Sequence, residues 1–383
     1  MPTLFIIAGE PSGDALGAKL ANALCAADPS LVFQGIAGER MQAAGIPTLF
    51  PMEELSLMGF AEILPHIPRL LRRIKETVEA IEKSQPDLVI TIDSPGFTFR
   101  VAKSLRERGY KGKLLHYVAP TVWAYKPERA AKIAKLFDHL MVLLPFEPPY
   151  FEKEGLTTHF VGHPIIEEIQ GSETEGQAFG NEHNIPDDAL VLTVMAGSRK
   201  GEVKRLLPVI EETMKRLRAT FPNLHIVLPT VKSVEQEVRE AVARWNMSAT
   251  VVEGAKARAL ALSISRAALV KSGTVTLEVA LAKVPMVLMY KVHPVTAWLL
   301  RRMLTISTAG LVNLLVGDKL IPEYIQEDCT PDKLAPHMEK LLRESPERAL
   351  QTEAMGKALQ LLGQGEVLTP SQKAAATVLK VLH

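Results

Sequence analysis

Strand-length apolar runs alternate with helix-patterned stretches twice along this chain, and that doubled alternation leaves few folds open to it. Residues 4–8, 31–37, 87–93, 113–118 and 139–144 form the first series; residues 190–196, 224–228, 249–252, 268–271 and 285–290 form the second. Strands separated by helices predict a parallel sheet covered on both faces, so the fold class is α/β with one architecture used twice. Between the series lies a polar segment, residues 167–188, with Gly171, Ser172, Gly176, Gly180, Asn181 and Pro186, which reads as a linker. The expected division is 1–168, 169–344 and a helical tail at 345–383 that Gly363, Gly365 and Pro370 interrupt. With 383 residues, 47% of them hydrophobic, each half can bury a core of its own.

Charge and cysteine usage narrow the function. Lys and Arg number 44 against 43 Asp and Glu, a net charge of +1, which argues against a nucleic-acid partner held by bulk electrostatics. Cys25 and Cys329 stand far apart with no Cys-x-x-Cys, so neither a disulfide framework nor a structural zinc site is expected, and a reducing cytosol is the default. The chain starts as a strand, without a signal-peptide pattern, and has no run of about 18 uninterrupted apolar residues. A soluble cytoplasmic protein is expected.

Open α/β sheets bind ligands where strands end and helices begin. After the first strand comes Ala8-Gly9-Glu10-Pro11-Ser12-Gly13-Asp14, a carboxylate and a hydroxyl between glycines. It lacks the Gly-x-Gly-x-x-Gly fingerprint and reads as a substrate turn, with a helix cap by Ser12 or Asp14 as the plain alternative. In the second half Gly197, Ser198, Arg199 and Glu202 follow a strand and open a helix; small residues, a helix N-terminus and an arginine outline a diphosphate site. The alternative is a capped helix with a solvated arginine. Ser272, Gly273 and Thr274 make a second such turn, and Glu278 one helical turn on is placed to accept from ribose hydroxyls unless it is an ordinary exposed helix residue. Two such turns together favour a nucleotide diphosphate.

A stripe near residues 57–75 carries Phe60, Ile63, Leu64, Ile67, Leu70, Leu71 and Ile74 at helical spacing, preceded by Met58 and interleaved with Arg69, Arg72, Arg73 and Lys75. It fits an interfacial segment on an anionic membrane, and equally a helix buried against the first half, with Pro65 and Pro68 complicating a continuous helix. Residues 298–304, Trp298 to Leu304, repeat the character and fit a subunit contact as well.

The ordered set formed by the Ala8 to Asp14 turn, Met58-Gly59, Ile92-Asp93-Ser94-Pro95, Ala119-Pro120-Thr121-Val122-Trp123-Ala124, Leu144-Pro145-Phe146-Glu147, Gly162-His163, Gly197-Ser198-Arg199 with Glu202, Ser272-Gly273-Thr274 with Glu278, and Leu311-Val312-Asn313-Leu314-Leu315 resembles the lipid-A-disaccharide synthases nearly end to end. The resemblance implies a glycosyltransferase B-type fold, two Rossmann-like domains facing across a cleft, with the last helices packing back on the first domain. It implies transfer from UDP-2,3-diacylglucosamine to 2,3-diacylglucosamine 1-phosphate (lipid X) at the cytoplasmic face of the inner membrane, giving a disaccharide phosphate and UDP. A homodimer stays open. Acylated substrates favour the membrane reading of the 57–75 stripe.

By the same resemblance the family's catalytic aspartate falls on Asp93, its first-turn pair on Glu10 and Ser12, its arginine on Arg199 and its late asparagine on Asn313. Met195-Ala196 and Val270-Lys271 depart from the family's usual residues and bear on strand packing. Inverting transfer needs a base for the acceptor hydroxyl and stabilisation of the leaving diphosphate. Asp93 is the expected base, Glu10 its rival, Ser12 an acceptor-positioning group, and Arg199 with the two turns the diphosphate clamp, without metal or cofactor. His163 reads as a hinge or core histidine or a donor contact, and Trp123 as acceptor lining or packing. Two other readings are a UDP-N-acetylglucosamine 2-epimerase-like enzyme and a non-catalytic nucleotide-sugar or lipid binder.

Overall fold

The computed structural model describes residues 1–55, 67–306 and 308–383. The chain packs as two units, Met1–Pro164 with Leu362–His383, and Ile165–Leu361.

The first unit is built on β1 (Thr3–Ala8), β2 (Val32–Ile36), β3 (Leu88–Ile92), β4 (Lys113–Tyr117), β5 (His139–Val142) and β6 (Thr157–Phe160). They form one sheet in the order β2-β1-β3-β4-β5-β6, and every pairing is parallel. All five residues of β3, Leu-Val-Ile-Thr-Ile, are buried, as a strand with helices on both faces must be. Helix Pro11–Ala27 lies along the sheet, and the carboxy-terminal helix Pro370–Leu382 docks on it. That last helix opens with a capping box between Thr369 and Gln372 and buries Ala374, Ala375, Val378 and Val381, one apolar face that the first unit's core absorbs.

The second unit holds β7 (Leu190–Met195), β8 (Leu224–Thr230), β9 (Ala249–Glu253), β10 (Ala267–Lys271), β11 (Met286–Tyr290) and β12 (Glu323–Ile325) in the order β12-β11-β10-β7-β8-β9, again all parallel. Helix Lys200–Thr220 follows β7 and packs on Pro331–Leu342. Helix Pro346–Leu361 stays with this unit: it packs on helices Val275–Leu281 and Leu311–Val316, and Gln351 Oε1 accepts from the Met286 amide at 2.8 Å.

Each sheet thus has six strands where the sequence pattern predicts five. The two extra strands, β6 (Thr-Thr-His-Phe) and β12 (Glu-Tyr-Ile), are short, part-exposed edge strands. They lack the apolar run that marks a strand buried on both faces.

Candidate functional site

In the first unit, strand order does what sequence spacing cannot. β1 pairs with β2 on one side and with β3 on the other, so the order reverses between β1 and β3, and Ala8 stands beside Ile92 at their carboxyl ends. Ligands bind open α/β sheets at such a switch point. The residues that leave the two strands are Gly9-Glu10 and Asp93-Ser94.

Gly9 is required by closeness: a Cβ there would fall 2.5 Å from Ser94 Oγ and 2.9 Å from Ser94 Cβ. Asp93 and Ser94 both take left-handed backbone angles, φ 47° and 48°, and such conformations cost of order 1–3 kcal/mol each for residues other than glycine. Several bonds over-determine the turn. Asp93 N donates to Tyr117 O at 3.0 Å, Thr98 Oγ1 donates to Asp93 O at 2.8 Å, and the Phe97 and Thr98 amides donate to Ser94 O at 3.0 Å. The resulting half-buried Asp93 carboxyl is pushed above the usual range by burial, against a lowering hydrogen bond from the Ser94 amide. Glu10 is raised as well, first by partial desolvation and then by the charge of Asp93.

Glu10 occupies the N-cap position of Pro11–Ala27 without a side-chain cap, and Ser12 is exposed on the first turn. Asp14 caps a different helix: its oxygens accept from the Arg40 and Met41 amides, each at 3.0 Å, at the start of Glu39–Ala43. Glu10 and Ser12 are therefore left at the switch point while Asp14 serves the fold. Three further residues of the first unit are engaged within it. Glu147, buried beyond β5, accepts from Trp123 Nε1 at 3.1 Å and from the Leu143 and Leu144 amides, and burial raises its carboxyl to about 7. Trp123 is accordingly buried against Phe146. His163, neutral because burial and nearby Lys19 lower it to about 4, ties its backbone N–H to Leu362 O at 3.0 Å.

The second unit repeats the arrangement. Its order reverses between β7 and β10, and their carboxyl ends meet at Met195 and Val270. Gly197, at φ 108°, opens the first turn; a Cβ there would sit 3.0 Å from Glu202 Oε2 and 3.6 Å from Lys271 Cγ. Ser198 and Arg199 are exposed, and Arg199, with 82% of its side chain accessible, stands at the N-terminus of Lys200–Thr220. That position lends partial positive charge to whatever approaches it. The Glu202 side chain is buried, with Oε1 3.2 Å from Lys271 Nζ and 3.8 Å from an Arg199 nitrogen. In the second turn Ser272 donates its hydroxyl to Ala309 O at 2.8 Å, Gly273 runs at φ 158°, and Thr274 is exposed.

Two of the expected donor contacts are engaged within the protein. Glu278 Oε2 accepts from Arg258 Nε at 2.5 Å. Asn313 is buried and gives its Nδ2 to Ile321 O and Glu323 Oε1, at 2.8 and 2.7 Å, while its Oδ1 accepts from Ile321 N at 2.9 Å. Lys271 is the residue that sequence reasoning passed over; a lysine closing a buried strand, directly before Ser-Gly-Thr, was the available signal.

Of the apolar stripe, Met58, Phe60, Ile63 and Leu64 lie outside the described residues. Helix Ile67–Ser84 turns Ile74, Val78 and Ile81 into the core, with Leu70 packed against it, and leaves Ile67, Leu71 and Arg72 exposed. Arg73 is anchored, pairing with Glu54 and Glu76 at 2.6 Å each and lying 4.4 Å over the Phe50 ring. The second segment exposes Trp298, Leu299 and Leu304, with Arg302 stacked 3.8 Å over Trp298, and Val295 is exposed on the same helix, Pro294–Met303. No helix among the described residues is long and apolar enough to cross a membrane. Among the same residues no three His, Cys, Asp or Glu side chains are grouped to share a metal ion.

The family model described as LpxB, lipid-A-disaccharide synthetase, matches residues 4–378 of the chain. The lipid-A-disaccharide synthase of Rhodospirillum centenum is 47% identical over 381 residues, spanning 99% of this chain and 94% of the relative. That of Paramagnetospirillum magneticum is 45% identical, spanning 99% and 97%. Among solved structures, UDP-GlcNAc 2-epimerase from Neisseria meningitidis bound to UDP-GlcNAc aligns with a TM-score of 0.66 over 100% of this chain and 99% of that one; at 13% identity this likeness concerns the fold.

Proposed function

The chain belongs to the lipid-A-disaccharide synthetase family and is a glycosyltransferase; from that premise we propose that it joins UDP-2,3-diacylglucosamine to lipid X, releasing UDP. In this reading the first unit takes the acceptor and the second the donor. Asp93 accepts the proton of the acceptor's 6-hydroxyl as that oxygen attacks the anomeric carbon opposite the diphosphate. The bond from anomeric carbon to diphosphate oxygen breaks, and its electron pair leaves with UDP. A raised carboxyl pKa suits a base of this kind, since proton transfer is most efficient when the base is matched to its working pH. Ser12 orients the acceptor, and Glu10 shares the turn as a second polar anchor.

Arg199, the amide-rich turn at Gly197-Ser198 and the turn at Gly273-Thr274 take the charge that develops on the leaving diphosphate. Glu278 and Asn313 act through the protein: Glu278 fixes Arg258, and Asn313 holds residues 308–323 behind Ser272. The exposed Ile67, Leu71 and Arg72 support a peripheral contact with the inner-membrane surface, where acylated sugars reside.

The observation that carries this reading is the over-determined left-handed turn at Asp93-Ser94, locked against Gly9 at the switch point of the first sheet. Purified protein incubated with UDP-2,3-diacylglucosamine and lipid X should yield UDP and the disaccharide 1-phosphate by mass spectrometry. Donor binding without product would instead favour a non-catalytic binder, and epimerised donor without disaccharide an epimerase.

A further inference from the structure

We propose that Lys271 is a cation of the donor-diphosphate site that rests on Glu202 and transfers to a phosphate oxygen when UDP-sugar binds. The inference rests on the reading of the second unit as the donor site.

Lys271 ends β10, and its ammonium reaches the space between the two phosphate-type turns. A Cβ on Gly273 would stand 3.9 Å from Lys271 Nζ, and one on Gly197 would stand 3.6 Å from Lys271 Cγ, so the side chain lies against both turns. The Nζ is 3.2 Å from Glu202 Oε1 and 5.1 Å from the centre of the Tyr290 ring, whose face favours a cation. Glu202 is shared: Arg199 approaches the same Oε1 at 3.8 Å, so two cations face one carboxylate.

Glu202 Oε2 is the independent observation. It is buried and has no hydrogen-bond partner among the described residues. A buried carboxylate oxygen without a donor is unfavourable, and it sits beside Gly197, where a phosphate would meet backbone amides. The arrangement reads as a resting pair in which Glu202 keeps two cations gathered before the anion arrives. Lys271 carries three N–H donors, so it can turn to a phosphate oxygen while Glu202 keeps Arg199 and a share of the same ammonium, and as a point charge on a flexible stem it suits phosphate.

Isothermal titration with UDP and with uridine separates the possibilities, using the wild type, Lys271→Met, Glu202→Gln and the double variant. Lys271→Met should weaken UDP binding by about tenfold or more, the loss of one charge-assisted contact, and leave uridine binding within about twofold, which also shows that the variant is folded. Lys271→Arg should recover part of the loss. The double variant decides the mechanism through its coupling. If Lys271 contacts phosphate, removing Glu202 does not rescue Lys271→Met, and UDP stays weak. Return of the double variant to wild-type affinity would mean that Lys271 only neutralises Glu202, and the proposal falls. Equal weakening of UDP and uridine by Lys271→Met would overturn it too. A wild type that binds uridine and UDP equally well would remove the donor-site reading beneath it, a result distinguishable from the others because it needs no variant.

Discussion

Replacing Gly9 by alanine tests how strictly the first sheet positions Asp93. The added methyl would lie 2.5 Å from Ser94 Oγ and 2.9 Å from Ser94 Cβ, whereas carbon contacts are comfortable only at about 3.5 Å or more. Ser94 cannot yield alone, because its carbonyl accepts two amides and the Thr98 hydroxyl, and its φ is already 48°. The β1 and β3 turns must part by about 1 Å, which should cost about 1–3 kcal/mol as overpacking. A shift of that size at the base should lower kcat by about 10²-fold. UDP affinity should not change, since the proposed donor turns belong to the other unit.

Gly13, four residues on in the same turn, is the internal control: its nearest neighbour would be the Ile92 carbonyl at 3.4 Å, an ordinary contact. Alanine is better than glycine in a helix by about 0.5–1 kcal/mol, so Gly13→Ala should keep activity and melt no lower than the wild type. Steady-state transfer kinetics and thermal melts on both variants suffice. If Gly9→Ala keeps wild-type kcat and melting temperature, the tight Gly9 to Ser94 contact does not position the base.

Further outcomes follow from the same geometry. Glu147 is 3% exposed with its carboxyl raised by burial from 4.5 to about 7, so the native state binds its proton more tightly than the unfolded chain; its contribution to stability is full below about pH 4.5, falls by about 3 kcal/mol as pH rises to about 7, and is flat above. Urea midpoints between pH 4.5 and 8 should show that slope in the wild type and lose it in Glu147→Gln; parallel slopes would refute it. Asn313→Ala should destabilise by about 2 kcal/mol because the Ile321 and Glu323 groups lose buried partners, with UDP affinity changed little; a large loss of affinity at unchanged stability would make Asn313 a ligand contact. Ile67→Ser with Leu71→Ser should reduce binding to anionic liposomes at constant melting temperature, whereas Ile74→Ser, a core position, should unfold the protein at lower temperature; the opposite pattern would place Ile67 and Leu71 in the core.

The doubled α/β architecture is legible because buried parallel strands advertise themselves: β3 and β10 are apolar runs whatever surrounds them. The edge strands β6 and β12 do not, being short and half exposed. Asp93, Gly197 and Arg199 are legible as residues after strands. What a linear reading lacks is strand order, which puts β3 on the side of β1 away from β2, so that Asp93 comes near Glu10, and puts β10 beside β7 near Gly197. Glu278 shows the complementary limit. Its spacing suits a ribose contact, but spacing alone does not show that Arg258, from a helix 20 positions earlier, holds one of its carboxylate oxygens. Asp14 sits in the motif but caps Glu39–Ala43, a tertiary contact that local capping rules do not anticipate.

The assignment of Asp93 as base is tested most directly by single-turnover transfer with Asp93→Asn and Glu10→Gln, alongside UDP titration of each. Asp93→Asn should lose about 10²- to 10⁴-fold in rate with UDP affinity intact, and Glu10→Gln should lose far less. Near wild-type turnover in Asp93→Asn together with an inactive Glu10→Gln would contradict the account and move the base to Glu10.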